Sequence, residues 1–245
     1  MGTGAAAGLL AFLIAGFLFS SGKPPAGQNE DEIFARRRRD MVAEQLASRD
    51  IRDKRVLEVM GKVPRHLFVD QGSRNLAYED YPLAIAEGQT ISQPYIVALM
   101  TQCLELRGKE TVLEIGTGSG YQAAVLSLLA SRIYSIEYHP PLAQAAAALL
   151  KTLGYANVEV RAGDGFFGWP EAAPFDGIIV TCAARRIPEA LVAQLKEGGR
   201  LVIPVGEIDD VQRLLRIRKI GGKPVEEEMT LVRFVPMLGA DRKKK

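Results

Sequence analysis

The chain is poor in the residues that most often build metal centres and proton-transfer sites. Its 245 residues include only two cysteines and two histidines. Cys103 and Cys182 lie 79 residues apart, and no metal-ligand spacing is present. So few histidines give little material for a His-based metal site or catalytic triad, and we interpret His66 and His139 as surface or structural residues. We therefore expect no bound metal.

A strong excess of charge of one sign is also lacking. The formal net charge of +2 is too small to argue for a nucleic-acid partner, and we expect none. Basic residues cluster at Arg36–Arg39 and Arg242–Lys245, which we interpret as a solvated helix end and a disordered tail. With 47% hydrophobic and 24% charged residues, the composition is typical of a globular protein that can bury a core.

A long apolar run lies near the N-terminus. Residues 5–19 contain no polar side chain, and no charge appears until Lys23. Fifteen helical residues reach roughly 22 Å, which is short of the ~30 Å hydrocarbon core of a membrane. We predict that residues 1–22 are a signal peptide, with an uncleaved membrane anchor or a mis-called start codon as alternatives. The positive charges follow the run, which favours retention inside. Export, anchoring and a cytoplasmic location therefore all stay open.

The remaining chain reads as a linker at 23–31, one domain at 32–236 and a basic disordered tail at 237–245. Before residue 111 we expect helices at 33–49, 54–63 and 94–106. Beyond it, strands and helices alternate, with strands at 111–115, 133–137, 158–162, 175–182 and 199–205 and helices at 119–130, 140–153 and 188–196. This alternation predicts an α/β fold with a doubly wound, mostly parallel sheet and helices on both faces. Segments 212–220 and 229–235 predict an antiparallel pair at the end of the sheet.

A glycine-rich turn follows the first predicted strand of the sheet. Gly116, Gly118 and Gly120 come directly after Val112–Ile115 and before a helical pattern. Glycines let the backbone approach a ligand closely. Their spacing is G-x-G-x-G, and not the G-x-G-x-x-G of dinucleotide sites. Following a strand that contains Glu114, the turn resembles the first motif of methyltransferases that depend on S-adenosyl-L-methionine (AdoMet). A glycine-rich turn without a ligand is the alternative.

Two later strand ends carry carboxylates. Glu137 ends the strand at 133–137, 21 residues after Gly116, where a carboxylate can accept two hydrogen bonds from a ribose diol. Asp164 follows the strand at 158–162, where it can meet the adenine amino group. Three consecutive strand ends thus offer glycine, Glu137 and Asp164 in the order that AdoMet needs.

Several blocks of the chain resemble the protein-L-isoaspartate O-methyltransferase family. The Gln89–Pro94 block is highly specific, whereas the glycine loop is shared by many methyltransferases. The similarity covers roughly residues 33–236 in order, and the apolar N-terminal segment departs from the usual cytosolic pattern of the family. The similar blocks are Tyr78–Leu83, Gly88–Val97, Val112–Gln122, Phe175–Thr181 and Gly198–Gly206.

The resemblance implies a repair enzyme that transfers the AdoMet methyl group to the free α-carboxylate of an L-isoaspartyl residue in damaged protein or peptide. The ester then collapses to a succinimide, whose hydrolysis returns some normal aspartate. A carboxylate with a pKa near ~4 is already ionised at pH 7, so no general base is required. The implied partners are isoaspartyl-containing proteins and peptides. We expect a monomer that contacts a membrane only through an uncleaved N-terminal segment.

Residue roles are also implied by the resemblance. Ser92 matches the family's active-site serine, whose hydroxyl would orient the substrate carboxylate. Thr90 and Ile91 would form a lid segment that touches both ligands, and Ser92 would also touch the donor. The remaining donor contacts would be Gly116, Gly118, Ser119, Glu137, Tyr138, Asp164 and Gly165. The isoaspartyl backbone would lie at Pro204, Val205 and Gly206.

Other interpretations of these residues stay open. Ser92, two residues before Pro94, could simply cap a helix. Glu114 could have no role other than to hold a loop in place. A nucleophilic role for Ser92 is disfavoured, because no His or Lys partner is present at motif spacing. A methyltransferase for RNA or small molecules would keep the glycine loop, Glu137 and Asp164 without needing Gln89–Pro94. A non-catalytic AdoMet-binding module is a further alternative, which the intact Ser92, Glu137 and Asp164 disfavour.

Overall fold

The structure is a computed structural model that describes Met1, residues 30–207 and residues 210–242. The predicted signal peptide or anchor and most of the predicted linker therefore lie outside the described residues. The linker prediction is wrong at its end, because Glu30 and Asp31 already belong to the first helix. Acidic side chains in a first helical turn favour that helix start, since they face the positive end of its dipole. Among the described residues, no helix is long and apolar enough to cross a membrane.

Two short strands, β1 (Leu83–Ala84) and β2 (Thr90–Ile91), pair antiparallel ahead of the main sheet. The main sheet has seven strands in the order β5-β4-β3-β6-β7-β8-β9. Strands β3 to β7 pair in parallel, whereas β8 and β9 join the edge antiparallel. The doubly wound, mostly parallel sheet is thereby confirmed. Its strands are β3 (Thr111–Ile115), β4 (Arg132–Glu137), β5 (Val158–Ala162), β6 (Phe175–Val180), β7 (Leu195–Val205), β8 (Gln212–Ile220) and β9 (Lys223–Val232).

In the part of the chain that the structure describes, six α-helices accompany these strands. The first continues into a π-helical turn at Met41–Ala47. Short 3-10 turns lie at Arg65–Phe68, Gln71–Leu76, Ala86–Gly88, Gly165–Phe167, Pro170–Ala172 and Gly239–Arg242. The α-helices are α1 (Glu30–Asp40), α2 (Lys54–Lys62), α3 (Pro94–Cys103), α4 (Tyr121–Ser127), α5 (Pro140–Thr152) and α6 (Glu189–Ala193).

The central strands β3 and β6 are buried on both faces, which explains their nearly continuous apolar sequences. In β3, Val112 belongs to one apolar cluster and Leu113 to the other, because successive side chains of a strand point to opposite faces. The edge strand behaves differently. β9 starts at Lys223 and not at 229, and its first six residues are all exposed. Apolar and polar residues alternate along a strand only when one of its faces is buried. The exposed first half of β9 therefore shows no such alternation in the sequence.

The predicted disordered tail at 237–245 is wrong for residues 237–242. Met237 is buried in the second apolar cluster, and Gly239–Arg242 form a 3-10 turn. The buried Asp241 accepts a hydrogen bond from the backbone N–H of Arg185 (3.1 Å). The basic composition of the last residues suggested disorder and gave no indication of these contacts. Residues 243–245 lie outside the described part of the chain.

Candidate active site

A cleft with about 740 Å³ of open space lies at the carboxyl edge of the parallel sheet. It lies where the chain order of the sheet reverses, because β3 has β4 on one side and β6 on the other. Open α/β sheets bind ligands at this switch point. Most of its lining comes from five stretches: residues 89–92, the glycine loop with the start of α4, residues 136–139 at the end of β4, residues 181–182 after β6, and residues 236–238.

The glycine loop is folded tightly against the neighbouring strand end. Gly116 has φ +97°, and a Cβ built there would lie 2.5 Å from Thr181 Oγ1. That hydroxyl donates to the carbonyl oxygen of Gly116 (2.6 Å). Only glycine fits this close approach with a positive φ. The backbone at Gly116 and Gly118 therefore lies directly against the cleft, which Thr117 and Ser119 of the same loop also line.

Glu137 links the glycine loop to the start of α5. Its Oε2 accepts from the backbone N–H of Gly118 (2.8 Å), and its Oε1 accepts from that of His139 (3.0 Å). Each carboxylate oxygen can accept a further hydrogen bond. The backbone of the glycine loop, with one fixed carboxylate beside it, fits the methionine and ribose parts of AdoMet.

Most of the predicted site residues come together at this cleft. Tyr138 is half exposed at its edge. Nine of the predicted residues line it, namely Thr90, Ile91, Ser92, Gly116, Gly118, Ser119, Glu137, Tyr138 and Gly165.

The other predicted site residues do not line the cleft. Both oxygens of Asp164 accept backbone hydrogen bonds, Oδ1 from Phe166 (3.0 Å) and Oδ2 from Ala240 (2.8 Å). The carbonyl oxygen of Pro204 accepts from the N–H of Ala184, and the N–H of Gly206 donates to the carbonyl oxygen of Ala184, at 3.0 Å each. Val205 forms a β-bridge to the same residue. The adenine contact of Asp164 and the substrate contacts of Pro204, Val205 and Gly206 stay predictions.

Ser92 lies at the cleft but does not cap a helix. Helix α3 begins at Pro94 and its N-cap is Gln93, so the helix-cap interpretation of Ser92 is wrong. The side-chain amide of Gln93 donates to the carbonyl oxygen of Asp80 (3.0 Å) and to its Oδ1 (2.8 Å). Asp80 also forms an ion pair with Arg49. The two sequence blocks around residues 80 and 92 are therefore held to each other, which fixes Ser92 at the cleft.

Sequence reasoning missed several residues of the cleft. His139 lines it, with Nδ1 3.7 Å from a carboxylate oxygen of Glu87, and Cys182 follows the end of β6. The parallel strand order could have suggested residues 181–182, because β6 neighbours β3. No local pattern pointed to residues 236–238. The structural role expected for His66 agrees with its burial and its stacking on Phe34, with ring centroids 4.1 Å apart.

Glu114 is fully buried beneath the glycine loop and does more than hold a loop. The hydroxyl of Ser135 donates to its Oε2, and a second hydrogen bond of 2.6 Å joins the hydroxyls of Ser135 and Thr117. Its Oε1 has no partner among the described residues. Burial, opposed by the Ser135 hydrogen bond and aided by the charge of Glu137, raises the pKa of Glu114 to about 8. The folded protein therefore holds a proton here at neutral pH.

This proton makes stability fall as pH rises. The pKa of Glu114 is about 8 in the folded protein, whereas a glutamate in the unfolded chain has a pKa of ~4.3. Between these two pH values the folded state binds more protons than the unfolded state, so its stability decreases as pH rises. Burial lowers the pKa of His66 to about 4, which makes stability rise with pH up to ~6.5. From pH ~6.5 to ~8, His66 therefore does not oppose the loss of stability that Glu114 causes as pH rises. We expect the free energy of unfolding to drop by up to about 2 kcal/mol across that window.

The variant Glu114→Gln keeps an acceptor for Ser135 and removes the titration. Urea unfolding at pH 6.5, 7.2 and 8 should show a flatter profile for Glu114→Gln than for the parent chain. Parallel profiles for the two proteins would contradict a protonated Glu114.

The fold, the glycine loop and the carboxylate at the end of the next strand define an AdoMet-dependent methyltransferase. More narrowly, the chain belongs to the protein-L-isoaspartate(D-aspartate) O-methyltransferase family, whose model matches residues 36–242. This confirms the resemblance found in the sequence. Within the described residues, no group of three or more His, Cys, Asp or Glu side chains is arranged to hold a metal ion.

Curated relatives and solved structures agree with this assignment. The chain is 58% identical to a protein-L-isoaspartate O-methyltransferase of Opitutus terrae, over 81% of this chain and 85% of the relative. It is 55% identical to protein-L-isoaspartate O-methyltransferase 2 of an Anaeromyxobacter species, over 88% of each.

Among solved structures, a protein-L-isoaspartate O-methyltransferase matches with a TM-score of 0.76 and 30% identity, over 83% of this chain and 67% of that one. A beta-aspartate methyltransferase from Plasmodium falciparum, in complex with S-adenosyl-L-homocysteine (AdoHcy), matches with a TM-score of 0.71 and 26% identity, over 82% of this chain and 98% of that one.

Proposed function

We propose that this chain transfers the methyl group of AdoMet to the free α-carboxylate of L-isoaspartyl residues in damaged proteins and peptides, and so starts their repair. The observation that carries the proposal is the meeting of Ser92 with Glu137 and the glycine loop in one cleft. The test is transfer of label from AdoMet to a synthetic peptide that contains one isoaspartyl residue. A peptide that stays unlabelled would contradict the proposal.

The donor subsite would be built mainly from backbone. The loop at Gly116–Ser119 would receive the methionine part, and Glu137 would accept hydrogen bonds from the ribose hydroxyls while its bonds to Gly118 and His139 hold it in place. When bound, AdoMet supplies an electrophilic methyl group on a cationic sulfur. The half-exposed ring of Tyr138 lies beside Glu137 at the edge of the cleft.

The substrate carboxylate has to be oriented toward the methyl group, but it does not have to lose a proton first. The substrate carboxylate is ionised at neutral pH, so its oxygen is already the nucleophile. The Ser92 hydroxyl would donate a hydrogen bond to this carboxylate, and the segment at Thr90–Ser92 would hold it in line with the donor. Such alignment can lower a barrier by up to ~7–11 kcal/mol in the best cases.

The partners we propose are proteins and peptides that contain isoaspartyl residues, and we propose that the chain works as a monomer. For the compartment, the apolar run at residues 5–19 supports export or anchoring through the N-terminal segment, with a cytoplasmic protein as the alternative.

Replacing Glu137 tests the donor subsite. We expect Glu137→Ala to weaken AdoMet binding by about 1–3 kcal/mol, the range for hydrogen bonds to a charged group. Glu137→Gln should lose less, because it keeps an acceptor for the Gly118 N–H. Calorimetric titration with AdoMet measures both variants, and thermal unfolding checks that each is folded. A dissociation constant unchanged in Glu137→Ala would place the ribose elsewhere.

A further inference from the structure

Arg65 is a buried cation without a counter-charge in contact with it. The residue is 0% exposed, and among the described residues neither terminal nitrogen of its guanidinium, Nη1 or Nη2, has a hydrogen-bond partner. Burial lowers the pKa of Arg65 to about 10, so the group still carries its charge at neutral pH. A buried charge that is neither paired nor fully hydrogen-bonded costs free energy, and an apolar side chain would fill the same place at lower cost. We therefore expect the guanidinium to serve the two contacts that it does make.

One contact of Arg65 holds the segment that leads to Ser92. Its Nε donates to the carbonyl oxygen of Ala77 (2.7 Å), where this segment begins. Asp80, three residues further on, accepts from the side-chain amide of the residue after Ser92. We call residues 77–93 the acceptor frame, because this bond and the pairing of β1 with β2 join its two halves around Ser92. Arg65 therefore fixes the start of the acceptor frame.

The other contact of Arg65 reaches the start of α4. Its guanidinium carbon lies over the ring of Tyr121, 4.8 Å from the ring centroid. Phe68 packs edge-on against the same ring, with centroids 5.5 Å apart. Tyr121 begins α4 directly after the glycine loop and lines the cleft. One side chain thus joins the acceptor frame to the element that follows the glycine loop.

We propose that Arg65 is a positioning residue, which ties the acceptor frame to Tyr121 and thereby sets the place of the acceptor carboxylate relative to the methyl group of the donor. The inference rests on the proposed function, in which Ser92 orients the acceptor. A guanidinium suits this task because it offers a hydrogen-bond donor in its plane and a cationic face to an aromatic ring. Methyl transfer needs its reacting atoms in line, and a displacement of about 1 Å can cost on the order of 10²-fold in rate. Arg65 therefore acts on the transfer step and not on the binding of either ligand alone.

Arg65→Gln breaks one of the two contacts and keeps the other. The amide nitrogen of glutamine takes the place of Arg65 Nε along the side chain, so it can still donate to Ala77, but no cation remains over Tyr121. We expect the single-turnover rate of methyl transfer to the isoaspartyl peptide to fall at least about tenfold. The AdoHcy dissociation constant and the KM for the peptide should each change less than about threefold.

The rate is expressed per AdoHcy-binding site, so that a partly unfolded preparation does not imitate the effect. A residue that only supports the fold would lower the midpoint of thermal unfolding and the number of binding sites, and it would leave the rate per site unchanged. An unchanged rate per site in Arg65→Gln would therefore overturn the proposal.

Arg161→Gln is the matched control. Arg161 also joins a backbone carbonyl to an aromatic face, since its Nη2 donates to the carbonyl oxygen of Gly168 (3.0 Å) and its guanidinium carbon lies 4.0 Å from the ring centroid of Trp169. None of these three described residues is among those that line the cleft. The rate per site should therefore stay close to that of the parent. An equal fall in Arg161→Gln and Arg65→Gln would contradict a role that depends on the place of Arg65.

A double-mutant cycle tests if Arg65 acts through Tyr121. Tyr121→Leu removes the ring under the guanidinium, so it should lower the rate per site by itself. Arg65→Gln should then add less than about threefold in that background, because the contact is already lost. Full additivity of the two substitutions would mean that Arg65 acts by another route, and the proposal would fail.

One readout needs no acceptor. With AdoHcy bound, amide exchange at residues 89–92 should be faster in Arg65→Gln than in the parent, because the acceptor frame has lost its tie to α4. A parent chain that fails to label the isoaspartyl peptide would refute the proposed function, whereas exchange that stays slow in Arg65→Gln would refute the tie itself.

Discussion

Methylation of an isoaspartyl peptide should exceed that of its aspartyl isomer by more than ~10²-fold. In the isoaspartyl form the chain continues through the side-chain carbonyl, so the free carboxylate is the α-carboxylate and is displaced by one methylene. A site built to hydrogen-bond one carboxylate position rejects a ligand that leaves its buried donors unpaired. We expect the half-buried Ser92, fixed through Gln93 and Asp80, to supply such a donor at a defined place.

The measurement needs two peptides that differ only in this linkage. Both should be amidated at the C-terminus, so that the isoaspartyl residue carries the single free α-carboxylate. Labelled AdoMet gives initial rates for each peptide, and a third peptide with asparagine at the same position gives the background. Equal rates on the two isomers, or label transferred only to RNA, would remove the proposed acceptor while leaving the methyltransferase fold intact.

Much of this architecture was predictable because parallel strands that are buried on both faces have recognisable apolar sequences. β3 and β6 are buried on both faces, so they appear as short apolar runs between helical patterns. Gly116 directly follows β3 and Glu137 ends the neighbouring strand β4, so both could be placed at the carboxyl edge of the sheet from the sequence alone. The specific block at Gln89–Pro94 placed Ser92 at the same site.

The parts that could not be predicted depend on contacts without a local pattern. Ala240 binds Asp164 across 76 residues of sequence, and the basic residues that follow it suggested a disordered tail. His139 looked like a surface residue because nothing nearby in sequence shows that the loop carrying Glu87 lies against it. Neither the exposed start of β9 nor the cleft-lining segment Pro236–Leu238 shows the periodicity from which elements are predicted.

Ser92→Ala should reduce turnover by on the order of 10²-fold, which is the cost of removing one preorganised donor from a reacting oxyanion. Methyl transfer to a carboxylate moves no proton, so Ser92 is expected to orient the substrate and to serve neither as base nor as nucleophile. The substitution leaves Gln93 bonded to Asp80, so the backbone of the segment should keep its place.

Three further observations follow from an orienting role. AdoHcy affinity should change little in Ser92→Ala, because we propose that the glycine loop and Glu137 make most of the contacts with this ligand. The rate of the parent enzyme should stay flat from pH ~6 to ~7, below the titration of Glu114, whose pKa is about 8. Mass spectrometry of the parent enzyme under turnover should find no methyl group on Ser92.

These measurements separate the possible roles of Ser92. A methylated Ser92 trapped during turnover would mean a covalent path. A rate that climbs tenfold per pH unit through neutrality would mean a general base. Near-normal turnover in Ser92→Ala would leave the backbone N–H groups of the segment as the donors for the carboxylate. Since Gln93 is already the N-cap of α3, that last outcome could not be explained by a capping role for Ser92.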